Sequence, residues 1–325
     1  MRHPKLIFLC SILLLFSCKK EPIVIVADDY HALVDHLTEV MIHDIFSPPV
    51  ASRIYAYPNI AAYQTLNGHN GVYKSLGNQL NDLQETPKPQ LKKQINKELA
   101  ALIAYLDVAK ELVFSKDKIE VYRDSLYTAW KDINEVDFTN AKVYGLSVSK
   151  EIISWMSRDK YKETRTMPDF TVIVTEPGRW QPTPPAYMKG IEPNWNKIRP
   201  FVLDSAAQFK PIPPPKFSLE EGTDFYKELM EVYTITNDIK QKGNESEEIK
   251  IAQFWDCNPY VAVNKGHFMF ASKKITPGAH WIGICKIASK QTNSDFNTTV
   301  FAYTKTSIAI VDAFISCWDE NIEVI

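Results

Sequence analysis

The 325-residue sequence contains no HExxH, no GxSxG, no P-loop, no GxGxxG and no CxxC. The common metalloprotease, serine-hydrolase, nucleotide-binding and thiol-redox classes therefore receive no support. Neither sign of charge predominates: 37 Lys+Arg against 39 Asp+Glu give a formal net charge of -2. A basic face able to release counterions is missing, which argues against nucleic acid or another polyanion as a partner. Cysteine is scarce and widely spaced. Cys257, Cys285 and Cys317 lie too far apart for a zinc ribbon or a disulfide framework; at most one bridge forms, and free thiols are the simpler reading. Strand signals are sparse, "DFTVIVT" at 169–175 being the one candidate, and no internal repeat of fixed period is visible. The longest apolar run, "LIFLCSILLLFS", is twelve residues, too short to cross a hydrocarbon core of about 30 Å as a helix.

That run follows Arg2, His3 and Lys5 and ends in Leu15, Ser17 and Cys18. It has the layout of a signal peptide over 1–17 and resembles the lipobox of bacterial lipoproteins. Cleavage before Cys18 frees that thiol for acylation, so Cys18 is the expected lipid anchor and "CKKEP" begins a short tether, 18–27. The expected partner is then the membrane, reached through the N-terminal lipid, and the expected location is the cell envelope, periplasm-facing or on the outer-membrane surface. Loss of Arg2 and Lys5 with the signal takes the charge from -2 to -4.

With 45% hydrophobic and 12% aromatic residues, the chain can bury a substantial core as one large domain or two modest ones. From 28 to 158 the pattern is helical nearly throughout. "YHALVDHLTEVMIHDIF" stops at Ser47-Pro48-Pro49, and "VASRIYAYPNIAAYQTL" ends at "NGHNG". Leu91, Ile95, Leu99, Leu102, Leu106 and Ala109 form a stripe at three- and four-residue steps. Two more helices are predicted near 115–133 and 138–158. Antiparallel packing of such stripes predicts an all-α helical bundle.

Eleven of the twenty prolines lie between Met167 and Pro215, a density that forbids helix and regular sheet. The segment 159–217 also carries Trp180, Tyr187, Trp195 and Phe201, which predicts an ordered excursion over the helices rather than a flexible hinge. Helices resume over 218–320. Ser218 with Glu221 reads as a capping box, followed by helices near 246–255, 277–291 and 294–318, the last with Ile308, Val311, Ile315 and Trp318 along it.

His31, His36 and His43 share one predicted helix, but steps of five and seven point apart or stand about 10 Å apart along the axis, unlike a metal pair. Arg179, Trp180, Tyr187 and Trp195 in a proline-stiffened loop are candidates for a sugar or aromatic-ligand surface, or else plug the helical core from outside. Trp255 in "AQFWD" and His280 in "PGAHWIGI" pair an aromatic with a polar group and are possible pocket or surface contacts.

The runs "FSPPVASRIYAYPNIAAYQ", "GRWQPTPP", "PNWNKIRPFVL", "FKPIPPP", "IAQFWD", "HW" at 280–281 and "AIVDAFISCWDE" together resemble the vanadium-dependent haloperoxidase-related proteins of the type-2 phosphatidic acid phosphatase (PAP2) superfamily, in the lipoprotein form common in Bacteroidetes. The similarity covers nearly the whole mature chain, in order. It implies an all-α bundle, here the N-terminal half of a haloperoxidase-like fold, and in full-length relatives a pocket for vanadate or phosphate.

The resemblance also implies three pocket elements: a lysine followed seven residues later by Arg-Pro, a Pro-Ser-Gly-His segment, and a Ser-Arg with a histidine six residues beyond the arginine. None is present. Arg199-Pro200 has Glu192 at the lysine position; the Gly-His pairs at 68–69 and 266–267 lack Pro-Ser; Ser52-Arg53 has Asn59 and Ser157-Arg158 has Thr164 in place of histidine. No catalytic or metal-binding residue is carried over, and no cofactor is expected in this chain. In relatives "CWDE" is typically followed by "KY" and then the Arg-Pro. Loss of one adenine from codons for "DEKYRSN" yields the observed "DENIEVI", so 321–325 reads as an out-of-frame tail and the chain as cut short before its anion pocket. The expectation is an inert fragment whose uncovered apolar faces favour self-association or a partner supplying the C-terminal half. The competing expectation is a surface lipoprotein that captures glycans with its aromatic loop.

Overall fold

The computed structural model describes residues 21–67, 73–88, 95–184, 187–243, 245–255 and 276–324. Nine α-helices and no strand occur among them, as the all-α reading requires. The helices are α1 (Ala27–Asp44), α2 (Pro48–Asn67), α3 (Lys97–Lys110), α4 (Lys116–Met156), α5 (Tyr161–Thr164), α6 (Asp224–Lys242), α7 (Glu247–Trp255), α8 (Pro277–Gln291) and α9 (Phe296–Val324).

Helix α2 is the axis of the core. It is buried on every face from Pro49 to Leu66 because α3, α4, α8 and α9 all pack against it. Its polar side chains are therefore bonded rather than solvated. Tyr30 donates to Asn59 Oδ1 at 2.6 Å, the Asn59 amide donates to the Tyr55 carbonyl at 2.8 Å, and Leu76 N donates to Gln64 Oε1 at 2.8 Å. Pro58 lies inside this helix, and Thr304 of α9 reaches across to donate to the neighbouring Asn59 carbonyl at 3.0 Å. Where α3 and α4 cross, a Cβ on Gly145 would stand 2.5 Å from the Ala100 carbonyl oxygen, so only glycine permits that approach. One apolar core takes in Ile23, α1–α4, Trp195, Phe201 and the inner face of α8 and α9. Phe296–Glu320 is long and apolar enough to cross a membrane, yet its Tyr303, Val311 and Ile315 are core residues packed on α2 and neighbouring elements.

Some local features match those predicted and others differ. The two helices expected at 115–133 and 138–158 form as the two halves of α4, parted at Asn134 (φ -152°, ψ 96°). Asn134 leaves helical geometry and its side chain caps the second half, accepting from Asp137 N at 3.1 Å. The 169–175 strand does not form. Ile173 and Val174 are exposed between Pro168 and Pro177, with no edge to pair with. Helix α6 is capped by Thr223, which accepts from Tyr226 N, and not by Ser218, whose hydroxyl caps Glu220 N in the turn before Gly222 (φ +88°). Residues 321–324 continue the backbone of α9. The segment read as a tether is largely fixed: Ile23 is buried, its N–H donates to Asp137 Oδ2 at 3.3 Å, and its carbonyl accepts from Asn96 Nδ2 at 2.7 Å. Cys18, both Gly-His pairs and Cys257 lie outside the described residues.

Candidate functional site

The polar centre of the molecule is a buried ionic cluster just beyond the C-terminus of α4. Asp159 accepts from Arg53 Nε at 2.6 Å, from the Tyr57 hydroxyl at 2.8 Å and, through Oδ1, from Tyr161 N at 2.9 Å. A second guanidinium, Arg199, lies on the Trp155 ring at 4.4 Å and donates to the Trp155 carbonyl at 3.1 Å and to the Tyr57 oxygen at 3.2 Å. Its Nε is buried without an acceptor. Burial, reinforced by the Asp159 charge, pushes the Tyr57 phenol well above its ordinary pKa, so Tyr57 serves as a hydroxyl donor to Asp159. Arg53 is held between rings, 4.4 Å from Tyr161 and 5.0 Å from Tyr57.

Arg199 belongs to the loop that docks on α9. Trp195, Ile198 and Phe201 are fully buried. Asp312 of α9 accepts from Phe201 N at 2.7 Å, Val202 N at 2.7 Å and Leu203 N at 3.2 Å. Burial pushes the Asp312 carboxyl up from its ordinary range, opposed by those three amides. Trp318 Nε1 donates to the Ile191 carbonyl at 2.8 Å, and Asn196 donates to Asp319 at 2.8 Å. The separated runs "PNWNKIRPFVL" and "AIVDAFISCWDE" are thus the two halves of one interface. Beside it a groove of about 750 Å³ runs between Leu203, Phe209 and Pro211 on the loop and Ile308, Asp312 and Glu320 on α9, with Lys305 at its edge.

A crystal structure described as that of the first bacterial vanadium-dependent iodoperoxidase matches the chain with a TM-score of 0.89 and 59% identity, over 94% of this chain and 71% of that one. This chain belongs to the vanadium-dependent haloperoxidases. No family model matches it, and no curated protein does.

A haloperoxidase of this kind needs convergent cations and amide donors around a tetrahedral oxyanion. The described residues do not fit one. Both buried guanidiniums turn inward onto Asp159, Tyr57 and Trp155. Glu192, seven residues before Arg199, pairs with Arg165 and accepts from Ser47 at 3.1 Å. The groove along α9 carries two carboxylates to one ammonium, the wrong sign for an anion. Among the described residues no three His, Cys, Asp or Glu converge on a metal-sized site.

The residues singled out in the sequence are scattered. Arg179 is exposed and pairs with Glu176 at 3.0 Å. Trp180 is half-buried against Phe170. Trp195 is core and Tyr187 exposed, so the loop does not present its aromatics as one surface. Trp255 and His280 do meet, with ring centroids 6.0 Å apart and Trp281 beside His280, on an exposed face of α7 and α8. Of the three histidines of α1, His36 stacks on Tyr122 and His43 is exposed. Sequence reasoning missed Asp159, whose only signal was its place directly after a predicted helix end.

His31 is buried, its Nδ1 2.8 Å from the Tyr303 hydroxyl. Burial, seconded by the Lys290 ammonium, lowers its pKa below the ordinary 6.5. On acidification the unfolded chain takes up this proton before the folded one does, so stability falls as pH drops from 6.5 toward the lower folded value. Between about pH 7.5 and about pH 5.5, the natural chain is expected to lose more Tm than a His31→Asn variant. Parallel curves would count against this role.

Proposed function

We propose that the chain is the helical body of a lipid-anchored vanadium haloperoxidase within the PAP2 superfamily, held at the cell envelope through an acylated Cys18. In this reading it is a fragment, and the oxyanion-holding groups come from polypeptide additional to the residues described. The observation that carries it is the commitment of Arg53 and Arg199 to a closed interior cluster, combined with a neighbour of which 71% is matched. The matched part supplies the scaffold, and the remainder of such a protein is where cationic and imidazole groups have to be added.

The test is iodide oxidation by the full chain, purified in detergent, with vanadate and hydrogen peroxide. The expected rate equals that of vanadate and peroxide without protein. A protein-dependent rate that saturates with vanadate would refute the reading.

A further inference from the structure

The N-terminal strap is fastened to one end of the molecule. Its carbonyl at Glu21 accepts from Asn134 Nδ2 at 3.2 Å, and both polar groups of Ile23 are bonded, to Asp137 and Asn96. The strap is therefore fastened at the α4 kink, and the side chain that breaks the helix there is the one that holds it. Only Lys19 and Lys20 separate Glu21 from Cys18. Three residue steps span at most about 11 Å, and a lipid headgroup layer takes up about 5–7 Å of that. A chain acylated at Cys18 has only about 4–6 Å left to hold its body clear of the surface.

The exposed side chains at that end include the carboxylates of Glu21, Asp132 and Glu135 and several apolar groups. Along the strap the side chains alternate, Ile23 inward and Val24 and Val26 outward at 76% and 52% exposure. Bracketing Asn134 are Ile133 at 47% and Val136 at 69%. A strap needed only to fasten the chain requires one apolar face; this one has two. Single exposed apolar residues are ordinary on any surface, but these three valines and one isoleucine sit on two segments tied together by hydrogen bonds.

Resting on the reading of Cys18 as acylated, we propose that the α4-kink end of the molecule lies on the bilayer, with Val24, Val26, Ile133 and Val136 entering the boundary between headgroups and acyl chains. From Asp137 to Trp155 helix α4 rises about 27 Å. The buried cluster and the α9 groove are thereby held at the opposite end of this helix from the membrane contact.

The full acylated chain, reconstituted in phosphatidylethanolamine–phosphatidylglycerol vesicles, tests this with a benzophenone photo-crosslinking side chain placed at Val24, at Val136 or at Ile212, which is exposed in the proline-rich loop. Mass spectrometry of the N-terminal peptide reads the state of Cys18 in the same samples. Lipid adducts are expected at 24 and 136, at least tenfold above those at 212. An acylated Cys18 with no such contrast overturns the orientation alone. An unmodified Cys18 overturns the anchoring and the orientation with it.

Discussion

Replacing Asp159 by asparagine is expected to destabilise the fold by about 3–5 kcal/mol, because it leaves Arg53 and Arg199 buried with no counter-charge. For a chain of this size that is a fall in Tm on the order of 10 °C, readable by calorimetry or circular dichroism. The cluster holds two guanidiniums and one carboxylate, so its members are not equivalent. Removing Asp159 raises an uncompensated buried charge from one to two, whereas Arg199→Met lowers it to none. The second change forfeits two hydrogen bonds and the stacking on Trp155, yet is expected to cost less, about 1–2 kcal/mol. A double variant, Asp159→Leu with Arg53→Met, should recover part of the loss of Asp159→Asn, since well-packed apolar groups replace a buried ion pair at little cost. If Asp159→Asn shifts stability by under about 1 kcal/mol, the cluster is not the clamp between α2, α4 and the proline-rich loop that its geometry indicates.

Much of this architecture is legible in the sequence where the signal is local. Thr276 and Pro277 announce α8 through an N-cap and a first-turn proline, and its predicted span agrees with the observed one. The proline-rich excursion is recognisable as ordered from Trp195 and Phe201, because large aromatics in a segment without helix or strand have to be buried against something. What is not legible depends on distant partners. The break between the halves of α4 is legible but its cause is not: "KDINEVD" has no proline or glycine, and it is Asn134 that takes Glu21 and Asp137 as partners there. Arg53 and Asp159 are 106 residues apart, and nothing in the spacing of either foretells the pairing. The family relation was carried by motif runs rather than by any pocket residue. Two of those runs, "PNWNKIRPFVL" and "AIVDAFISCWDE", prove to be structural, for they are the loop and the helix face that fasten each other.

That fastening gives the second large expected effect. Asp312→Ala should cost about 3 kcal/mol, since Phe201 N, in the core, and the amides of Val202 and Leu203 all lose one carboxylate acceptor. Burial is what makes the loss large: the Phe201 N–H has no route to water unless the loop lifts, and lifting exposes Trp195 and Phe201. The loss should therefore show locally before it shows globally, as a red-shifted tryptophan emission and faster proteolysis within 187–217, with far-ultraviolet circular dichroism unchanged. Asp312→Asn keeps one oxygen but turns an NH2 group toward a backbone donor, so an intermediate cost is expected. Trp318→Phe removes a single hydrogen bond to the Ile191 carbonyl and should cost about 1 kcal/mol. The ranking Asp312→Ala above Asp312→Asn above Trp318→Phe is the discriminating result. Equal effects at all three would mean that the loop is held by its buried rings alone, and that the carboxylate of α9 is incidental to its place.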